Sequence, residues 1–266
     1  MVSTARARRP LIAGNWKMNL DHLQAIALVQ KLAWTLKDKN FTTDSVDIAI
    51  FPPFTDLRSV QTLIAADKLE FQLGGQDLSA HDSGAHTGEV SGAFLHALAC
   101  DYVLVGHSER RADHSEDDEV TLAKVLAALR HSLVPVLCVG ETADDLESVG
   151  ASEVPVRQLR AVLQSLSADQ EIVVAYEPVW AIGSGTPATA EQAEEVCGIL
   201  RETIREVHGD DAAARTRILY GGSVKSSNIA GFMKGANVDG ALVGGASLDA
   251  EEFAAIAQFD KHVTID

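Results

Sequence analysis

The chain has 266 residues, with 22 Lys and Arg against 38 Asp and Glu, and so carries a formal charge of −16. That charge repels phosphate backbones and anionic headgroups alike, which argues against nucleic acid or a membrane surface as a partner, while 46% hydrophobic and 23% charged residues describe a globular protein with a sizeable core. No uninterrupted apolar run reaches the roughly 20 residues of a spanning helix, and the first ten residues lack the apolar region of a secretory signal, so a cytoplasmic protein is expected.

Residues 1–9, which include Arg6, Arg8 and Arg9, precede the first apolar run and are expected to form a disordered extension. Short runs rich in β-branched residues then predict strands at 11–16, 46–51, 69–74, 102–106, 134–139, 172–176, 218–221 and 238–243. Segments with helical spacing lie between them at 20–36, 56–66, 119–129, 156–166, 191–207 and 228–233, several opened by Ser, Thr or Asp in capping position. Apolar runs without polar alternation suit strands covered on both faces, so the pattern predicts a parallel sheet wrapped by helices. Eight βα units in about 250 residues fit a closed (β/α)8 barrel, with an open doubly wound sheet as the alternative. No Pro/Ser-rich linker or longer repeat divides the chain, and one domain over 1–266 is expected. Cys100, Cys138 and Cys197 lie far apart in apolar stretches, without metal-ligand spacing, and read as buried reduced thiols.

In a barrel of this kind reactive residues sit where strands end and βα loops begin. At the end of the first run, Asn15 and Lys17 stand two apart, and strand periodicity would point both the same way, an amide beside a cation suited to an anionic substrate with a carbonyl oxygen. A solvated Lys17 at a strand end is the alternative. After the third run, the loop from Gln76 to Glu89 is polar, Gly-containing and longer than most connections, either a surface excursion or a loop that contacts a partner or the site. His107 follows the fourth run and leads toward a helical segment, where the positive helix end disfavours an imidazolium and leaves a neutral ring able to donate to an oxyanion. The other eight histidines, among them His22, His81, His131 and His208, read as surface residues.

Glu177 emerges directly from the sixth apolar run, where desolvation would make its carboxylate more basic, as a general base requires. The segment 178–187, apolar in the middle with glycines toward one end and a proline at each, reads as a lid. Glycine pairs at Gly221-Gly222 and Gly244-Gly245 follow the seventh and eighth runs, where side-chain-free turns let backbone N–H groups converge on phosphate.

Five co-linear stretches, 13–19, 106–111, 175–185, 220–224 and 242–247, together resemble the triosephosphate isomerase family nearly letter for letter across almost the whole chain. The resemblance implies a barrel that interconverts dihydroxyacetone phosphate and glyceraldehyde 3-phosphate through an enediol(ate), without cofactor or metal, in glycolysis and gluconeogenesis. It implies Glu177 as base, neutral His107 as electrophile, Lys17 as electrostatic stabiliser and Asn15 at the substrate oxygens, as in the general case of pKa tuning known for this enzyme. Glu109 would hold Lys17, Ser108 would hydrogen-bond the base before closure, and backbone amides at Gly183, Ser223, Gly244 and Gly245 would bind phosphate. The loop from Gln76 to Glu89 resembles the family's dimer loop, with Thr87 reaching into the neighbouring subunit of a homodimer.

Three departures from the family pattern stand out. Thr186-Pro187 replaces a basic residue and a non-proline at the lid's end, which predicts slower closure. Asp77 replaces an Asn, adding a negative charge near the dimer loop. The region 141–158 is divergent, contains Pro155, and is expected to lie away from the chemistry and to affect stability only. A relative acting on a different sugar phosphate, and a non-catalytic phosphate-binding barrel, are the other functional readings; survival of Glu177, His107 and Lys17 together separates the last of these from an enzyme.

Overall fold

The computed structural model describes residues 8–42, 44–182 and 187–262. Its eight strands are β1 (Leu11–Asn15), β2 (Asp47–Phe51), β3 (Gln72–Gly75), β4 (Tyr102–Val105), β5 (Val134–Val139), β6 (Val173–Tyr176), β7 (Arg217–Tyr220) and β8 (Gly240–Val243). Each pairs in parallel with the next, and β8 closes on β1 with Leu11 opposite Gly240 and Gly14 opposite Val243. The closed barrel is the predicted one, and the open sheet is set aside. Between and after the strands lie α1 (His22–Asp38), α2 (Phe54–Asp67), α3 (Gly92–Ala97), α4 (Ser108–His114), α5 (Asp118–Arg130), α6 (Ala143–Val149), α7 (Glu153–Leu163), α8 (Ala190–His208), α9 (Asp210–Arg215), α10 (Ile229–Phe232) and α11 (Ala250–Ala257). Among the described residues no helix is long and apolar enough to cross a membrane.

Strand periodicity sorts the core into two layers. Leu11, Ala13, Phe51, Leu104, Val136, Val173, Ala175, Leu219 and Leu242 fill the barrel interior, while alternate residues such as Ile12, Ile50, Val103, Val105, Val174 and Ile218 pack outward against the helices. The long helices are fixed at their starts by side-chain caps. Asp21 accepts from the N–H groups of Leu23 and Gln24 at the head of α1, and Thr189 and Gln192 form a reciprocal capping box at the head of α8, each such cap stabilising a helix by about 1 kcal/mol.

Two expectations need correction here. Arg8 donates from Nε to Asp239 at 2.8 Å and Arg9 pairs with Asp47, so the expected disordered extension does not reach residues 8 and 9; residues 1–7 lie outside the described residues. The negative charge that Asp77 adds is paired, with Lys124 Nζ 2.6 Å from one of its oxygens and Arg110 3.0 Å from the other. Of the histidines expected on the surface, His131 and His208 are half-buried, and the His208 ring faces the carbonyls of Leu163 and Leu166.

All three cysteines are buried and unpaired, as expected. Burial pushes the Cys100 thiol up to about 12 and raises those of Cys138 and Cys197 further. Because the thiolate is the nucleophile, the native protein at pH 8 should leave all three unmodified by a disulfide reagent for minutes, and unfolding in guanidinium should release three reactive thiols. Rapid native modification of any one would contradict this burial.

Candidate active site

The barrel delivers its functional side chains by the same periodicity that fills it. Leu11 and Ala13 point inward, so Asn15 does too at the carboxyl end of β1; Val173 and Ala175 point inward, so Glu177 follows at the end of β6. Both are almost fully buried, with Asn15 5% and Glu177 2% exposed. After β4, Gly106 turns the chain with φ +71, which makes His107 the N-cap of α4 and brings its ring to the barrel mouth. Lys17 arrives differently from the expectation. The strand ends at Asn15, and Lys17 has φ +53, a left-handed conformation uncommon for a residue with a side chain. Its N–H donates to Asn15 Oδ1 at 3.0 Å, and Gln76 Nε2 donates to its carbonyl at 2.8 Å. A pinned turn, not strand alternation, places the ammonium near the amide.

His107 Nε2 lies 2.9 Å from Glu177 Oε1, and the Ser108 N–H donates to Glu177 Oε2 at 2.9 Å. On the other side of the ring, Nδ1 accepts the Glu109 N–H at 3.2 Å. Only an unprotonated nitrogen can accept, so this hydrogen bond belongs to the neutral ring with its proton on Nε2, aimed at the carboxylate. Lys17 Nζ stands 2.5 Å from Glu109 Oε1, which holds the ammonium beside the histidine. Ser108 and Glu109 thus lie against Glu177 and Lys17 respectively.

The electrostatics correct one expectation. Burial alone would raise the Glu177 pKa, but the charge and hydrogen bond of His107, the Ser108 N–H and the Lys17 charge together hold it below the usual glutamate value. In this resting arrangement the carboxylate is less basic than the sequence suggested. Burial also works against an imidazolium at His107, yet the Glu177 carboxylate, its hydrogen bond and the Glu109 charge outweigh it and raise that pKa. The two shifts have one origin. Drawing the carboxylate away from His107 and Ser108 removes the support of both charged forms and leaves desolvation, which makes the glutamate a stronger base and keeps the imidazole neutral.

Asn15, Lys17, His107 and Glu177 line a cavity of about 320 Å3 together with Ser223, Gly244 and Gly245, which lie beyond the ends of β7 and β8. Leu242 and Ile182, which the sequence reading did not single out, supply apolar wall. Gly183 and Thr186 lie outside the described residues, and Pro187 is exposed. Thr87 does not line this cavity; it is exposed on the loop that follows β3. The region 141–158 proves to be close to the chemistry after all. Glu141, fully buried, accepts from Tyr176 Oη at 2.9 Å and from Trp180 Nε1 at 2.7 Å, so it grips the residues on both sides of Glu177. No local signal marks Glu141, since its partners are 35 and 39 residues away.

A buried carboxylate, a neutral imidazole and an ammonium facing glycine turns at the top of a closed barrel define an acid–base site for a small anionic substrate. The chain belongs to the triosephosphate isomerase family, whose model matches residues 10–260. Among its relatives is a triosephosphate isomerase of Leifsonia xyli subsp. xyli, 65% identical over 256 residues, covering 96% of this chain and 99% of that one. One from Streptomyces coelicolor is 54% identical over 254 residues, covering 95% and 98%. The crystal structure of triosephosphate isomerase from Bartonella henselae superposes with a TM-score of 0.84 at 35% identity, covering 95% of this chain and 99% of that one.

Proposed function

We propose that the chain catalyses the interconversion of dihydroxyacetone phosphate and glyceraldehyde 3-phosphate, a step of glycolysis and gluconeogenesis, in the cytoplasm. The observation that carries the reading is that Glu177, His107, Lys17 and Asn15 line the same cavity as the turns at Ser223, Gly244 and Gly245. In this reading the backbone N–H groups of those turns bind the phosphate, as glycine-rich turns after the last two strands can, with Gly183 joining them from the lid. The Glu177 carboxylate takes a proton from the carbon beside the carbonyl. His107 Nε2–H donates its proton to the carbonyl oxygen on which negative charge builds and takes up the proton of the neighbouring hydroxyl, so that one becomes a hydroxyl and the other a carbonyl, while Lys17 and Asn15 stabilise the enediolate. Glu177 then returns the proton to the neighbouring carbon, so no atom is gained or lost. The volume of about 320 Å3 sits at the lower end of small-molecule pockets, which favours a three-carbon phosphate over a longer sugar. Purified protein should turn over glyceraldehyde 3-phosphate; a folded but inactive protein would shift the reading to another sugar phosphate or to binding alone.

A homodimer through the loop from Gln76 to Glu89 belongs to the same proposal. A groove of about 750 Å3, lined by Lys17, Met18, Phe54, Gln76, His107 and Glu109, adjoins the cavity, and Met18 is 95% exposed beside it. An apolar side chain so exposed next to catalytic groups suits a surface covered by a second copy, and the exposed Thr87 sits on a loop able to supply it. Sedimentation should give a dimer, and Thr87→Arg should weaken association and lower activity about tenfold through misplacement of Lys17 and His107. A native monomer with full turnover would overturn this part.

A further inference from the structure

We propose that Gln158, on α7, is a positioning residue for Glu177, acting through Gly140; this rests on Glu177 being the base. Gln158 is buried, with 6% of its surface exposed, and its Oε1 accepts the Gly140 N–H at 2.8 Å. Gly140 is the first residue beyond β5, and its Cα abuts the peptide that follows Glu177 so closely that a Cβ there would fall 1.8 Å from the Glu177 carbonyl oxygen. On either side of Gly140 the β5 end grips the same segment, since the Glu177 N–H donates to the Val139 carbonyl at 2.8 Å and the Val179 N–H to the Glu141 carbonyl at 3.0 Å. Gly140 itself gives its N–H to Gln158 on α7.

The opposite flank is a second glycine. A Cβ at Gly221 would lie 2.9 Å from Glu177 Cγ, and the Gly221 N–H donates to the Tyr176 carbonyl at 2.7 Å. The backbone of the base is therefore held in a slot between two glycines, and Gln158 fixes one wall of that slot. Without its acceptor the buried Gly140 N–H has to find another partner, and any rotation of that peptide moves the wall against Glu177. Displacement of a catalytic group by about 1 Å can cost on the order of 10²-fold.

The test compares Gln158→Met, which keeps length and loses the acceptor, and Gln158→Asn, which keeps the amide but withdraws it by one methylene. Both should lower kcat about tenfold or more per folded molecule, with KM and the inhibition constant for inorganic phosphate within about twofold of the parent. A merely structural role would lower the unfolding midpoint and leave kcat of the folded fraction unchanged. That result, or a rise in KM at constant kcat, overturns the proposal. Should Gln158→Met fail to fold, Gln158→Asn decides alone. Parent turnover measured alongside separates the two claims: an active parent with unimpaired variants removes only the positioning role, whereas an inactive parent removes the base assignment and this inference with it.

Discussion

Glu177→Gln is expected to lower kcat by about 10³-fold, within the range that a positioned general base contributes, while leaving the thermal unfolding midpoint close to the parent's. The amide can still accept from Ser108 or His107, so the buried contacts of the carboxylate at 2.9 Å are partly kept and the barrel loses little. What it cannot do is take a proton from carbon. Glu177→Asp should fall between, with a loss of about 10²-fold from withdrawing the carboxylate by one methylene. Steady-state assays of both variants in both directions, with calorimetry on the same preparations, check this. Turnover of the Gln variant above about a tenth of the parent's, in a normally folded protein, would place the base elsewhere.

Gly240→Ala should be severely damaging to stability. Gly240 sits at the closing seam of the barrel with φ +153, and a Cβ there would lie 1.9 Å from the Leu11 carbonyl oxygen and 2.8 Å from its carbon. The obstruction is backbone on the neighbouring strand, paired in register with Gly240 itself, so no side chain can swing aside. Relief requires parting β1 from β8. A loss of more than about 4 kcal/mol is expected, the range reserved for backbone conflict and severe overpacking, which for a chain of this size lowers the midpoint by about 10 °C or more. Gly231→Ala is the control, because its Cβ would meet only Ala190 at 3.9 Å. A Gly240→Ala protein that melts with the parent would show that the seam adjusts more readily than its geometry allows.

Much of this architecture is readable from the chain alone because a barrel repeats a simple instruction. Each apolar run is a strand, and alternation within it assigns inside and outside; Asn15 and Glu177 continue that alternation by one step and land at the mouth. The strand predicted at 69–74 begins only at Gln72, and the one predicted from 238 begins at Gly240. Helix α6 is not among the predicted segments, and α4 is expected only as a helix start after His107 with no range, because neither buries a residue. They are started by caps, His107 for α4 and the Thr142 capping box for α6, and carry no apolar stripe to read. α3 and α9 are six residues each, too short for a period to show.

The chemistry was legible in type and not in tuning. The direction of the Glu177 shift depends on His107 and Ser108, the latter 69 residues distant, and no local rule supplies such partners. The left-handed turn at Lys17 depends on Gln76, 59 residues away. The same holds for Glu141, which bonds Tyr176 and Trp180, and for Gln158, which bonds Gly140 against the Glu177 peptide, both in the stretch that departs from the family pattern.

His107 serves two structures with one ring. Its Nδ1 caps α4 by accepting the Glu109 N–H, and α4 in turn carries Glu109, whose carboxylate holds Lys17. A proton added at Nδ1 therefore does more than charge the electrophile. It withdraws the acceptor from the first turn of the helix and sets a charged N–H 3.7 Å from the Glu109 carboxylate that holds Lys17. One titration at this ring therefore reaches both the helix start and the pair that holds the ammonium, and the nitrogen chemical shift of the ring would report on both.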